Sequence, residues 1–272
     1  MIKKLNETCD FLAQHGIQSP QTGIVLGTGL GKLVDEISIL KILEYSDIPN
    51  FPLSTVESHK GRLICGTLAG RKILAMQGRF HYYEGYSLQE VTFPIRVMKQ
   101  LGVKELILSN AAGSLNSEFK KGSLMLIDDH INFLPDNPLR GLNDPAYGPR
   151  FPDMSQPYTK HLNDLIKIIA AEEGIRLNEG VYVAIMGPNL ETRAEYRMFR
   201  NFADAVGMST VPEVIVANQI GLPCVAISVL TDECDPDNLK PVSLSEILAI
   251  AATAEIDLIK IVKKLIDRIN QS

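Results

Sequence analysis

Tryptophan is absent from this 272-residue chain, and aromatic residues make up only 6% of it. Cysteine is also scarce, with four residues at positions 9, 65, 224 and 234. None of them forms a C-x-x-C pair or another spacing typical of a zinc site. We therefore expect reduced thiols and no metal site, as is usual for an intracellular protein.

Positive charge is not in excess, since the chain has 27 Lys and Arg residues against 32 Asp and Glu residues, for a formal net charge of −5. No basic cluster interrupts this balance, which argues against a nucleic-acid partner. Long apolar runs are missing as well, and none approaches the roughly twenty residues of a membrane span. The N-terminus has no apolar core with a small-residue cleavage site. We expect a cytoplasmic protein with neither a nucleic-acid nor a membrane partner.

Segments typical of strands and helices alternate along the chain. Hydrophobic residues make up 45% of it, enough for a sizeable core. The pattern predicts a single α/β domain over residues 1–272, with a central, largely parallel or mixed twisted sheet flanked by helices. Predicted strands lie near residues 23–26, 61–68, 71–77, 105–109, 124–128, 180–185, 203–206 and 223–230. Predicted helices lie near residues 2–16, 88–101, 156–173 and 192–202, with two more opened by capping boxes at Thr210 and Ser243.

The stretch from Arg79 to Tyr86 carries more chemistry than a strand end needs for packing. After the apolar run 72–76, it offers a guanidinium, an imidazole, phenols and a carboxylate, between Gly78 and Gly85. Such a mixture is typical of a site that binds an oxyanion and titrates beside it.

A second candidate is the glycine-rich turn at residues 27–31, which follows a buried strand. Such a turn presents backbone N–H groups, here near Gly29, to an anion. It is not a dinucleotide fingerprint, because Lys32 stands where glycine is needed, and Leu33 excludes a Walker P-loop. A small phosphate or sulfate fits this turn, but so does a purely structural link from strand to helix.

The carboxyl ends of the predicted strands bring unusual residues to one edge of the sheet, where α/β folds bind ligands. Those suited to phosphate are Thr28, Arg79, His81 and Ser209, with backbone N–H groups near Gly29 and Ala111. Tyr83 and Met208 suit a sugar. Glu191 and Asp232 suit the N–H groups of a heterocycle, with Ala111, Ala112 and Gly113 small enough to admit a flat ring. Phosphate, sugar and base together indicate phosphorolysis of a nucleoside.

At these residues the chain resembles the trimeric purine nucleoside phosphorylases. The shared motifs are Gly27-Thr28-Gly29-Leu30-Gly31, Ser58-His59-Lys60-Gly61, Gly78-Arg79-Phe80-His81 through Glu84-Gly85, Asn110-Ala111-Ala112-Gly113, Arg150-Phe151-Pro152, Gly187-Pro188-Asn189-Leu190-Glu191-Thr192 and Gly207-Met208-Ser209 through Val211-Pro212-Glu213. The resemblance implies reversible phosphorolysis of inosine, guanosine and their 2′-deoxy forms to free base and (deoxy)ribose 1-phosphate, in purine salvage. It also implies a homotrimer, phosphate as co-substrate and no cofactor.

The resemblance further implies a role for each site residue. Phosphate is expected at Thr28, His59, Arg79, His81, Ala111 and Ser209. Ribose is expected at Tyr83, Met208 and Phe151, the last reaching a neighbouring subunit from an irregular loop at 131–153. The base is expected at Ala111, Ala112, Gly113, Leu190, Glu191, Val206, Thr231 and Asp232. The catalytic residues are expected to be His81, Glu84 and Asp232, with Glu84 orienting His81 or a phosphate-site water.

Three positions depart from the family pattern. Asp232 stands where 6-oxopurine enzymes of this type have asparagine, so either it carries a proton or 6-aminopurines are accepted. Leu190 replaces an aromatic residue that stacks on the base. Leu244 falls near the position of a histidine that meets the 5′-hydroxyl, which would suit an apolar 5′ group. The alternatives are therefore a phosphorylase shifted to adenosine or 5′-methylthioadenosine, a non-catalytic nucleoside-binding protein, or a hydrolase.

Overall fold

The fold is built on one mixed sheet of nine strands in the part of the chain that the computed structural model describes, residues 1–28, 30–56 and 59–271. The strands are β1 (Thr22–Leu26), β2 (Ser38–Glu44), β3 (Arg62–Leu68), β4 (Arg71–Gln77), β5 (Glu105–Ser114), β6 (Leu124–Asn132), β7 (Leu177–Ala184), β8 (Ala205–Gly207) and β9 (Cys224–Glu233). The helices are α1 (Ile2–Gln14), α2 (Leu88–Gln100), α3 (Lys160–Glu172), α4 (Arg193–Phe199), α5 (Val211–Gln219) and α6 (Leu244–Gln271).

The sheet is open at one end and closed on itself at the other. Its strand order is β2-β3-β4-β1-β5-β8-β7-β6-β9, and β9 also pairs with β5. That last pairing is parallel and runs the length of β5, from Leu106 opposite Cys224 to Ser114 opposite Glu233. Strands β5, β8, β7, β6 and β9 therefore form a small barrel, and β5 belongs to both halves.

Helices cover both faces of the sheet because successive residues of its central strands are apolar on both sides. Ile107 and Leu108 of β5 illustrate this, since both are buried but join different core clusters. One cluster packs against α1, α2 and α5, and the other against α3 and α6. Burying side chains of this kind contributes about 2 kcal/mol each.

The α/β architecture predicted from the sequence is confirmed, as are the hairpin of β3 and β4 and the capping box of α2. At the start of α6, Ser243 Oγ accepts from the N–H of Glu246 at 3.1 Å, while the Glu246 side chain pairs with Lys121. Three expectations need correction. Strand β2 went unpredicted because it lies at the sheet edge with most of its side chains exposed. Strands β5, β6 and β9 run several residues further than predicted. The capping box at Thr210 is wrong: no side-chain hydrogen bond caps α5.

Candidate active site

The candidate site is a cavity of about 440 Å³ at the edge where strands β1 and β5 part. Strand β1 pairs with β5 only as far as Leu108, and β8 begins to pair with β5 at Gly113. The backbone between these points faces the cavity. The predicted site residues that line it are Thr28, Arg79, His81, Tyr83, Ala111, Ala112, Gly113, Leu190, Glu191, Val206, Met208, Ser209, Thr231 and Asp232. The segments therefore converge as the sequence predicted.

Arg79 lies at one end of the cavity and is only 1% exposed. Its Nε donates to Glu213 Oε1 at 3.1 Å, and its Nη1 donates to the carbonyl of Ser109 at 2.7 Å and to Ser209 Oγ at 3.3 Å. The remaining nitrogen, Nη2, is buried without a partner. A buried donor left unpaired is costly, so this end of the cavity is built for an acceptor such as an oxyanion.

Ser209 reaches the cavity through a tight turn instead of a capping box. The N–H of Val211 donates to the carbonyl of Ser209 at 2.7 Å, and Thr210 between them has φ 69° and ψ −50°. This is a γ-turn of the rare, strained kind. Asn110 holds it, because its Nδ2 donates to Thr210 Oγ1 at 2.9 Å. Glu213 is thereby free to pair with Arg79 instead of capping α5.

His81 stands beside Arg79, held by Glu84. Its Nδ1 lies 2.8 Å from Glu84 Oε1, and that carboxylate also accepts from the backbone N–H and hydroxyl of Thr55 at 2.9 and 2.6 Å. Burial alone would raise the pKa of Glu84, but the bonds from His81 and Thr55 outweigh it and lower that pKa to about 2. Burial lowers the pKa of His81. His81 is therefore a neutral imidazole whose Nδ1–H donates to the ionised carboxylate of Glu84. Its other ring nitrogen, Nε2, is left as a hydrogen-bond acceptor.

His59 and Glu84 lie behind the residues that line the cavity. His59 Nδ1 is 3.0 Å from both the backbone N and O of Arg79, and its Nε2 is 3.2 Å from Thr28 Oγ1. Burial lowers the pKa of His59 to about 4, and the neighbouring His81 and Arg79 side chains lower it further. His59 therefore supports Thr28 and the Arg79 backbone as a neutral group. Gly29 and Ser58, from two of the motifs, lie outside the described residues.

The middle of the cavity has the walls predicted for a sugar. The Tyr83 ring stacks on His81 with centroids 4.6 Å apart. Met208, which also lines the cavity, packs so closely on Gly187 that a Cβ on residue 187 would meet the Met208 sulfur at 2.3 Å. Phe151 takes no part in this cavity, since its side chain is 86% exposed on the long loop. Its predicted role therefore concerns a neighbouring molecule and stays a prediction.

The far end of the cavity carries the two carboxyl groups predicted to read a base, Glu191 and Asp232. Thr231 Oγ1 donates to Asp232 Oδ1 at 2.9 Å. Burial raises the pKa of Glu191, partly offset by a hydrogen bond from Tyr196. Leu190, next in the chain, is 50% exposed and offers no ring to stack on a base.

Several residues of the site were not predicted as such from the sequence. Asn110, Pro188, Gly207, Val242, Leu244 and Ile247 line the cavity. Glu213 pairs with Arg79, and the Tyr182 hydroxyl accepts from the Ser209 N–H at 3.3 Å. Glu213 was noted from the sequence as part of a capping box and of a shared motif, without a role in the site, and Tyr182 only as a strand residue. Leu244 had been singled out as a departure from the family pattern.

The described residues contain no cluster of three or more His, Cys, Asp or Glu arranged to hold a metal ion. Among the helices of the described chain, none is both long and apolar enough to cross a bilayer.

Comparison with known proteins shows the family to which this chain belongs. Residues 21–267 match the model of the phosphorylase superfamily. Purine nucleoside phosphorylase 1 of Bacillus subtilis (strain 168) is 48% identical over 267 residues, which cover 98% of either chain. The chain belongs to the purine nucleoside phosphorylase family.

Solved structures of purine nucleoside phosphorylases agree with this assignment. Isoform 2 from Schistosoma mansoni, in complex with cytosine and ribose-1-phosphate, matches with a TM-score of 0.93 at 41% identity, over 98% of this chain and 96% of that one. The Schistosoma mansoni enzyme in complex with inosine matches with a TM-score of 0.92, also at 41% identity, over 98% and 96%. Both the fold and the family predicted from the sequence are thus confirmed.

Proposed function

We propose that the chain is a phosphorylase that cleaves purine ribo- and 2′-deoxyribonucleosides reversibly to the free base and (deoxy)ribose 1-phosphate. One observation carries this proposal: a single cavity has the unpaired Nη2 of buried Arg79 at one end and the carboxyl groups of Glu191 and Asp232 at the other. An oxyanion and a heterocycle with N–H groups fit these two ends. The relatives are named for this activity, and one was solved with ribose-1-phosphate.

The phosphate end supplies donors and one acceptor. Arg79 Nη2, the hydroxyls of Thr28 and Ser209 and the start of α5 stabilise a dianion. Since His81 holds its Nδ1–H toward Glu84, its Nε2 accepts the remaining proton of the phosphate. Because Glu213 already balances Arg79, phosphate is bound mainly by directed hydrogen bonds.

In the reaction, the bond between C1′ and the purine N9 breaks first, and its electron pair leaves with the base. The sugar becomes oxocarbenium-like, between the walls of Tyr83 and Met208. Phosphate held below it stabilises the positive charge and then forms the new bond to C1′. The base leaves as an anion, or takes up a proton at N7 from solvent as the bond breaks.

Inosine and guanosine are the expected substrates. Glu191 as a carboxylate accepts from N1–H of a 6-oxopurine and from the 2-amino group of guanine. Asp232 is the residue that argues for adenosine as a second candidate, and the apolar Val242, Leu244 and Ile247 beside the cavity argue for 5′-methylthioadenosine.

The test compares kcat/KM for inosine, guanosine, adenosine and 5′-methylthioadenosine, with and without phosphate. We expect base release that depends strictly on phosphate. Release without phosphate would indicate a hydrolase, and tight nucleoside binding without turnover a binding protein. A clear preference for adenosine or 5′-methylthioadenosine would move the substrate assignment without changing the reaction.

We also propose a homotrimer that works without a metal or other cofactor, in the cytoplasm. The exposed Phe151 supports the oligomer, because a phenylalanine on a long loop gains by packing into a neighbour. The four cysteines are free thiols in the described structure, which suits a reducing compartment.

A further inference from the structure

The glycine-rich turn at residues 27–31 is fixed at its start, in its middle and just beyond its end. The N–H of Gly27 donates to Ser109 Oγ on β5 at 3.4 Å, and a Cβ on residue 27 would come within 2.7 Å of the Ser109 carbonyl oxygen. Thr28 Oγ1 lies 3.2 Å from His59 Nε2. The N–H of Lys32 donates to Oε1 of Glu255, on helix α6, at 2.6 Å. Glu255 therefore holds the end of the turn that leads away from the cavity.

A short 3-10 helix, Lys32–Glu36, follows the turn, and Glu255 serves its first N–H group. The residue at the N-cap position is Gly31, which has no side chain to accept a hydrogen bond. The carboxylate of Glu255 takes that place from another element, and its negative charge suits the positive end of the helix backbone. The Lys32 N–H is thus committed to Glu255, so the N–H groups left for phosphate are those of the turn itself.

The position of Glu255 is not explained by packing. Its side chain is 1% exposed, and its second carboxylate oxygen, Oε2, is buried without a partner. It shares a small, mostly apolar space with Leu30, Leu33 and Ser109. Burial raises the pKa of Glu255, and the bond from the Lys32 backbone offsets part of this rise. Since an apolar side chain of similar size would fill such a place at less cost, we attribute the carboxylate to its bond with the end of the turn.

Helix α6 joins this contact to the nucleoside part of the cavity. Leu244 and Ile247, in its first turn, line the cavity. Glu255 follows Leu244 by eleven residues, which is about three turns and about 16 Å along the same face of the helix. Ala251, between them, is fully buried. One packed helix face therefore borders the cavity at its start and reaches the glycine-rich turn at Glu255.

We propose that Glu255 is a positioning residue for phosphate: through the Lys32 N–H it fixes the turn at residues 27–31, and with it the Thr28 hydroxyl. Glu255 is not among the residues that line the cavity, so it acts on phosphate through the turn alone. The inference rests on the proposed phosphorolysis. Loss of the bond should weaken phosphate binding and leave nucleoside binding nearly unchanged.

The test compares KM for phosphate with KM for inosine, since neither value depends on the fraction of enzyme that is correctly folded. Glu255→Leu fills the space but removes the acceptor. It should raise KM for phosphate about tenfold, because a hydrogen bond to a charged group is lost, while KM for inosine stays near that of the wild type. Glu255→Ala should give the same result. Glu255→Gln keeps an oxygen that accepts from the Lys32 N–H and should restore most of the affinity for phosphate.

Two controls lie further along the same helix. Lys263 pairs with Glu36 at the other end of the 3-10 helix, so Lys263→Ala removes a different contact between the same two elements. Leu265 is fully buried in the core, so Leu265→Ala destabilises the packing of α6 without touching the turn. Both variants should keep the wild-type KM for phosphate.

Three results would overturn the inference. They are a wild-type KM for phosphate in Glu255→Leu and Glu255→Ala, an equal rise of both KM values in these variants, or a comparable rise in Leu265→Ala. A wild type without phosphate-dependent turnover of inosine would instead overturn the proposed function.

Discussion

At the residue scale, the ion pair of Arg79 and Glu213 connects stability to phosphate binding. Both side chains are almost fully buried, at 1% and 4% exposure. Glu213→Gln keeps an acceptor for Arg79 Nε but leaves the guanidinium charge uncompensated, so we expect a loss of about 2 kcal/mol in unfolding free energy. The guanidinium should also turn from its position, which raises KM for phosphate more than KM for the nucleoside. Urea unfolding and initial rates measure the two effects.

The matched control for this prediction is Glu105→Gln. Glu105 forms another buried pair with Arg71, at the opposite ends of the strands from the cavity. It should lose comparable stability but keep the wild-type KM for phosphate. If both variants raised that KM equally, the role of Glu213 in orienting Arg79 would be contradicted.

Also at this scale, His59 makes stability depend on pH. Its pKa is about 4 in the folded protein and about 6.5 in the unfolded chain. The unfolded state therefore binds more protons between these values, and stability falls as the pH is lowered from about 6.5 toward 4, by about 3 kcal/mol in all. The lowered pKa of His81 acts in the same direction.

We expect His59→Asn to reduce the slope of unfolding free energy against pH in this window without abolishing it. Denaturant titrations at a series of pH values measure the slope. His161→Gln, at an exposed position of α3, serves as the control substitution. A slope as steep in His59→Asn as in the wild type would show that His59 is not the group responsible.

At the scale of single elements, the N-cap residue of α4 lies next to the base site in the chain, whereas the N-cap residue of α2 does not. Thr192 Oγ1 accepts from the N–H of Glu195 at 3.3 Å, and Ser87 Oγ accepts from that of Glu90 at 3.3 Å. Replacing either by alanine should cost about 1 kcal/mol. Thr192 directly follows Glu191, and α4 carries Tyr196, so Thr192→Ala should also raise KM for the nucleoside.

Ser87→Ala is the comparison for that prediction, since it should lower thermal stability similarly while KM stays unchanged. Equal kinetic effects in the two variants would mean that the cap of α4 has no special bearing on Glu191.

The elements also show where sequence reasoning succeeds. Arg79 and His81 were identified because charged groups directly after an apolar strand are conspicuous, and Glu191 because it lies in the loop that follows β7. The role of Glu213 was not, because Thr210 and Glu213 have the spacing of a capping box, and only the γ-turn at Thr210 diverts the carboxylate to Arg79. The sequence carries no local signal for that turn, since its positive φ falls on a β-branched residue that disfavours it.

At the scale of the whole molecule, closure of the sheet by β5 and β9 was beyond the reach of local patterns. The pairing joins segments more than a hundred residues apart, and the apolar sequence of β9 suits any buried strand. The closure nevertheless shapes the base site, because it places Gly113 of β5 opposite Asp232 of β9. The site predicted as a row of strand ends is in fact the junction between an open sheet and a barrel.

The oligomer is the remaining question at this scale, and subunit complementation tests it. Phe151→Ala leaves the cavity of its own chain intact, since the side chain is 86% exposed and lies outside it. In the proposed trimer, this change removes a wall from the neighbouring site, so KM for the nucleoside should rise about tenfold while KM for phosphate stays unchanged.

Arg79→Ala should inactivate its own site but still offer Phe151 to its neighbour. Subunits of the two variants, mixed and allowed to exchange, should therefore show more activity than the sum of the separate proteins. Phe202→Ala, an exposed phenylalanine elsewhere, should have normal kinetics alone. Strictly additive activity after exchange, verified by mass measurement of mixed oligomers, would place Phe151 outside the neighbouring site.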